Sequence, residues 1–151
     1  MNTKIDIKNR LLDFGIKPSV QRMAIMEYLM NNLVHPTADT VFNQLSPALP
    51  TLSKTTVYNT LKLLEKQGAI VAIQIDEKNI RYDADISLHG HFKCKQCGCV
   101  SDFPLKGIDW IETEYSEERL ITEYQLYLKG YCRKCREQTN EITHLIYKQS
   151  I

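Results

Sequence analysis

The 151 residues contain no apolar run approaching the roughly 18 residues that a membrane-spanning helix needs. No apolar stretch follows the polar residues 1–10 as a secretory signal would require. These absences argue against a membrane-spanning helix and lead us to expect a cytoplasmic protein. A dominant charge sign is also lacking. The formal net charge is +1, so bulk electrostatics does not announce a polyanionic partner. Residues 1–83 hold ten Lys/Arg against eight Asp/Glu, and residues 84–151 nine against ten. That asymmetry permits nucleic-acid binding by the first half without requiring it. There is no internal repeat and no low-complexity tract. What is present is ordinary for a globular chain: 43% hydrophobic and 25% charged residues, enough to bury a core in one domain or two small ones. Five cysteines, an odd number in a reducing compartment, speak against a disulfide framework and for metal.

Taken in order, Ile5, Ile7, Leu11, Leu12 and Phe14 among charges predict a short helix stopped by Gly15 and the Lys17-Pro18 step. Ser19 then caps a helix whose apolar stripe is Val20, Met23, Ile25 or Met26, Leu29 or Met30, and Leu33. The methionines read as core filling. Pro36 ends this helix and leaves His35 in a loop. Thr37 caps a third helix with Val41, Phe42 and Leu45 inward, closed by Pro47 and Pro50. Ser53 caps a fourth over 54–67, with Gly68 as its stop. Val57, Leu61 and Leu64 share one face of it, which leaves Thr55, Tyr58, Asn59 and Lys62 on the other. Such a face is most often merely solvated. Here its short hydroxyl, amide and phenol groups match what base edges and phosphates bind.

A β-rich run over 69–75, a turn over 76–79 and a returning strand over 80–83 follow. Helices closed by a hairpin predict a winged-helix, DNA-binding domain over 1–83. In that arrangement the fourth helix enters the major groove of double-stranded DNA, and Lys78 and Arg81 on the hairpin meet phosphates. Residues 84–88 read as a hinge. Residues 89–151 then read as a smaller α/β domain, which makes the whole chain α+β. Its expected elements are strands over 89–93 and 99–103, a helical segment from 108 to about 119, a strand over 120–128, and a short terminal helix over 141–147.

Cys94-Lys-Gln-Cys97 and Cys132-Arg-Lys-Cys135 are two Cys-x-x-Cys pairs, together the four thiolates of a closed structural zinc site. Cys99 is expected to be a small buried residue on the strand leaving the first pair. A redox pair would need only one Cys-x-x-Cys beside a strand-helix unit. A second set is more scattered: His35, Asp83, His89, His91 and Asp102. Singly each has a bland reading as a loop histidine, a strand-end aspartate or a turn aspartate, and His-x-His alone is weak. As a set, three imidazoles and two carboxylates suit Fe(II) or Mn(II) better than tetrahedral zinc.

Pro18-Ser-Val-Gln-Arg22, His35-Pro-Thr-Ala-Asp39, Thr55-Thr-Val-Tyr58, Arg81-Tyr-Asp83, His89-x-His91 and both Cys-x-x-Cys pairs together resemble the ferric uptake regulator family over nearly the whole chain. The resemblance implies an N-terminal winged helix and a C-terminal dimerisation domain. It implies structural Zn2+ on Cys94, Cys97, Cys132 and Cys135, and a regulatory Fe2+ or Mn2+ at the hinge. It also implies a homodimer that binds a palindromic operator, usually as a repressor. Neither an enzyme nor a small organic substrate is implied. The chain is most similar to the family's peroxide-stress regulators (PerR), whose hinge ligands are three histidines and two aspartates, here His35, Asp83, His89, His91 and Asp102. Iron and zinc regulators usually carry glutamate where Asp102 stands. Many also hold a further metal with residues that here are Leu88, Gly90 and Tyr124, so that site is expected to be absent. In the peroxide branch, Fe(II)-catalysed oxidation adds oxygen to a ligand histidine, here His35 or His89, and the metal and then the DNA are released. An iron- or zinc-responsive uptake regulator is the alternative within the family. A Cys-x-x-Cys redox enzyme and a zinc-stabilised interaction module without DNA are the alternatives outside it.

Overall fold

The computed structural model describes residues 4–76, 78–106, 119, 123 and 125–138. The helical segment expected over 108–119, the first part of the strand over 120–128, Tyr124 and the terminal helix over 141–147 fall outside them, apart from an irregular Arg119. The chain divides into two compact units, Met1–Ser87 and Leu88–Ile151.

The first unit contains α1 (Lys4–Asp13), α2 (Val20–Asn31), α3 (Ala38–Leu45) and α4 (Lys54–Lys66), then the strands β1 (Val71–Ile73) and β2 (Arg81–Asp83). Three of the four helices start where an oxygen-bearing side chain can accept an orphan amide. Ser19, Thr37 and Ser53 accept from the N–H groups of Arg22, Thr40 and Thr56 at 3.3, 3.2 and 3.0 Å. Each such cap is worth about 1 kcal/mol. α4 stops at Gly68, whose φ of 74° is left-handed. There the N–H of Ala69 returns to the Leu64 carbonyl at 2.9 Å, closing the last turn.

One face of each helix supplies the core: Ile7 and Leu11 from α1, Ile25, Met26 and Leu29 from α2, Ala38 and Val41 from α3, Val57, Leu61 and Leu64 from α4. Full burial of each large aliphatic side chain is worth about 1.5–3 kcal/mol. Two expected core residues are not there. Val20 and Leu33 are 73% and 65% exposed, because the first sits on the opening residue of α2 and the second lies beyond its end. The hairpin is also shorter than expected. Only Val71, Ala72 and Ile73 pair with Asp83, Tyr82 and Arg81. Ala69 is still engaged in ending α4, and Ile80 is exposed outside the ladder.

The described residues of the second unit form a three-stranded sheet of β3 (His89–Cys94), β4 (Val100–Pro104) and β5 (Tyr127–Gly130), followed by α5 (Arg133–Gln138). The strand order is β4-β3-β5, with β3 antiparallel to β4 and parallel to β5. Gly90 lies opposite Phe103, and a Cβ at that glycine would fall inside the Phe103 ring. Among the described residues the main buried apolar cluster belongs wholly to the first unit. In the second, the buried apolar side chains are Cys94, Val100 and Cys135. Two of these three described side chains are cysteines, which places thiols at the centre of what this unit is seen to bury.

Candidate metal centres and nucleic-acid face

The chain leaving β3 folds back at once. The N–H of Gly98 donates to the Cys94 carbonyl at 3.0 Å, and the N–H of Cys94 donates to the Cys99 carbonyl at 2.9 Å. Gly98 holds a φ of 71°, a conformation that disfavours a Cβ, so the glycine after Cys97 lets this knuckle close. The second pair follows β5, with Cys132 just before α5 and Cys135 within it. The N–H of Lys95 donates to the Gly130 carbonyl at 2.7 Å, and the N–H of Cys132 points at Cys94 Sγ at 3.4 Å. The Sγ atoms of Cys94, Cys97, Cys99 and Cys132 thereby lie within 4.8 Å of one another.

Four thiolates each about 2.3 Å from a tetrahedral zinc stand about 3.8 Å apart. Cys97 and Cys132 are already separated by 3.8 Å. The donors fit Zn2+. Backbone amides prepare Cys94 for it: those of Cys132 first, then Cys97 and Gln96, lower its thiol pKa to about 6. The structure corrects one expectation, the burial of Cys99. Cys99 is exposed rather than buried, with its Sγ 3.3 Å from that of Cys97, because β4 starts one residue later and Val100 takes the buried position. Cys135 is buried on α5, and its thiol interacts with those of Cys132, Cys97 and Cys94, yet it is not one of the four mutually close sulfurs.

In the first unit, His35 and Asp83 meet at 3.2 Å between Nε2 and Oδ2, both buried. They are brought together by backbone pairing. The N–H of Tyr82 donates to the Pro36 carbonyl at 3.0 Å, and Thr37 bridges to Arg81, so the loop carrying His35 runs beside β2. His35 has a φ of 49°. A non-glycine residue held there costs about 1–3 kcal/mol and persists only where its surroundings impose it. Arg81 is part of that imposition: its Nη1 donates to the His35 carbonyl at 3.1 Å and its Nε to Asp76 at 2.5 Å. The guanidinium expected to meet phosphate is thus engaged within the unit. Asp83 Oδ1 also accepts the N–H of Asp85 at 2.8 Å.

In the second unit, His89 and His91 stand two residues apart on β3 with ring centroids 4.5 Å apart. Asp102 is directly across from His91 in the β3/β4 ladder. That register places its Oδ1 at 3.6 Å from His89 Nε2 and 3.7 Å from His91 Nε2. Both imidazoles are largely buried, and the carboxylate is about a third exposed. Two imidazole nitrogens and a carboxylate oxygen on one face suit a divalent transition ion.

On α4, Thr55, Tyr58, Asn59 and Lys62 are all exposed, opposite the buried Val57, Leu61 and Leu64. Lys78 is exposed in the turn of the hairpin. Lys17, Gln21, Arg22 and Thr56 are absent from the polar face expected to meet DNA. In the structure Lys17, Gln21, Arg22, Thr56 and Asn59 line a common groove of about 390 Å³. The signal available beforehand was the polar start of α2, where Gln21 and Arg22 interrupt the apolar stripe.

Residues 13–130 match the family model described as the ferric uptake regulator family. The chain is 31% identical over 128 residues to the peroxide-responsive repressor PerR of Staphylococcus epidermidis, covering 83% of this chain and 85% of that one. It is 32% identical over 132 residues to the peroxide operon regulator of Bacillus subtilis, covering 86% and 91%. Among solved structures, the ferric uptake regulator from Francisella tularensis with iron aligns with a TM-score of 0.68 at 27% identity, over 82% of this chain and 96% of that one. The Helicobacter pylori ferric uptake regulator has the same fold, with a TM-score of 0.72 at 22% identity over 93% and 97%.

Proposed function

This chain belongs to the ferric uptake regulator family and is a metal-dependent transcriptional regulator rather than an enzyme, and we propose that it represses transcription until peroxide oxidises its regulatory centre. In this reading His35 and Asp83 from the first unit and His89, His91 and Asp102 from the second hold one Fe2+ or Mn2+. Three imidazoles and two carboxylates are a donor set for a metal of higher coordination number. Iron(II) held by these residues would supply the peroxide chemistry by which one peroxide oxygen is added to His35 or His89 and the other leaves as water. The histidines hold the ion as neutral imidazoles and the aspartates balance its charge. An oxidised histidine is a poorer ligand, so the set loses its grip.

The observation that carries the peroxide reading is the position of Asp102. An aspartate directly across from His91 reaches both β3 imidazoles from a short side chain. The names of the relatives at 31% and 32% identity support the same branch. DNA is the partner of α4: Thr55, Tyr58, Asn59 and Lys62 read base edges and phosphates, and Lys78 adds salt-dependent affinity from the hairpin. A second copy of the chain completes the regulator on a palindromic operator. β5 ends the described sheet, with Leu126 and Leu128 40% and 47% exposed, an apolar edge suited to another protomer.

Two experiments test the sensing step. Fe(II)-loaded protein exposed to peroxide is digested and its peptides weighed. We expect a gain of one oxygen mass on the His35 or the His89 peptide, together with loss of operator binding in a gel shift. Unmodified peptides alongside lost binding would remove histidine oxidation from the mechanism. Asp102→Glu then probes the short carboxylate. It is expected to keep metal-dependent operator binding while the oxidised fraction of histidine falls several-fold. An oxidised fraction equal to that of the native chain would strip Asp102 of its role.

A further inference from the structure

Zinc in a closed structural site takes four ligands, and this chain gathers four mutually close thiols with a fifth, that of Cys135, interacting with three of them. Cys94, Cys97 and Cys132 belong to either possible foursome. The fourth position has two candidates on different elements. Cys135 reaches it from α5 as the second member of its Cys-x-x-Cys pair, and it is buried. Cys99 reaches it from the knuckle itself. The N–H of Cys94 holds the Cys99 carbonyl, left-handed Gly98 turns the chain, and Cys99 Sγ arrives 3.3 Å from Cys97 Sγ. Cys99, not Cys135, joins Cys94, Cys97 and Cys132 in the set of sulfurs within 4.8 Å of one another. Cys99 is also exposed, so it can move toward or away from an ion without disturbing packed neighbours.

We propose that the zinc centre of this chain is a five-thiol centre, in which Cys99 and Cys135 exchange at the fourth ligand position. No electron is transferred in this exchange. One thiolate binds as the other leaves, and the departing sulfur recovers the proton the entering thiol gives up. The ion is thereby held by four sulfurs even when one of the two is alkylated or absent. The inference rests on the four-cysteine zinc reading of this region and adds Cys99 to it.

The test is zinc content per full-length chain, measured on protein purified with reductant, for the native sequence and for C94S, C135S, C99S and C99S/C135S. Native protein should carry one zinc and C94S none. C135S should keep one, and the double variant should lose it. With Co2+ in place of zinc, C135S should retain the thiolate-to-metal charge-transfer intensity of the native protein. Zinc lost from C135S as completely as from C94S, or a double variant no worse than C135S, would refute the exchange. If C135S does not fold, C99S decides. Its four remaining thiols should hold zinc but release it to a chelator roughly tenfold faster, whereas an unchanged release rate counts against any contact between Cys99 and the ion. A native protein without zinc would overturn the four-cysteine reading itself, which separates that failure from failure of the exchange.

Discussion

Cys94→Ser leaves the chain without zinc and its second unit without a stable fold, while the first unit melts as before. Cys94 is wholly buried at the end of β3, receives the N–H of Cys132 on its sulfur, and forms part of the knuckle through both its N–H and its carbonyl. Serine offers oxygen where zinc requires a thiolate, so every bond gathered around that sulfur loses its purpose together. The expected effect is large because the described residues of the unit offer little other core. Its described residues bury Val100 and two cysteines as apolar side chains, against a cluster of aliphatic residues drawn from four helices and a hairpin in the first unit. Structural zinc in small domains contributes about 10–16 kcal/mol of apparent binding free energy, as much as the roughly 5–15 kcal/mol by which whole domains are stable. Metal analysis with scanning calorimetry should show no zinc and one surviving transition. Zinc at native stoichiometry with two unchanged transitions would end the idea that the cysteines staple the unit.

The second large effect is expected from Asp83→Asn, which should abolish Fe2+- or Mn2+-dependent operator binding while leaving the first unit folded. The substitution separates charge from shape. Asparagine keeps an oxygen that can accept the N–H of Asp85, and it preserves the β1/β2 ladder in which residue 83 pairs with Val71. It removes the anionic oxygen that stands 3.2 Å from His35 Nε2. A regulatory ion would lose a charged ligand. Metal affinity should fall by at least the roughly 10–100-fold that follows loss of a mere outer-shell partner. Gel shifts across a metal titration, with a thermal melt of the same protein, supply the comparison. Native-like metal dependence in the asparagine variant would mean that Asp83 serves His35 structurally and does not hold the ion.

Helix starts were the most legible part of the fold, because Ser19, Thr37 and Ser53 act on amides only three residues away. The stop at Gly68 was legible for the same reason. Both Cys-x-x-Cys pairs and His-x-His could also be read, since a turn or a strand alone places their members side by side. Partners fixed by distant chain segments were not legible. Arg81 looked like a phosphate contact by its charge and hairpin position, yet Asp76 and the carbonyl of His35 engage it. Nothing near Arg81 in the chain announces a carbonyl 46 residues away. Cys99 was misjudged on a finer point. A small cysteine on the strand leaving the first pair suggested burial, but the strand begins at Val100, and Cys99 lies before it, next to left-handed Gly98.

Gly90 sits between the two β3 histidines, beneath the Phe103 ring, in space that ring already fills. Any side chain larger than glycine at this position therefore needs the Phe103 ring to give way first. A carboxylate introduced at 90 while Phe103 remains would wedge the two strands apart and disturb His91 and Asp102. Reduction of Phe103 to a smaller residue would have to come first, and by itself it brings no new ligand. Glycine and ring are thus interlocked across the β3/β4 pair, and neither position can be enlarged without the other being reduced.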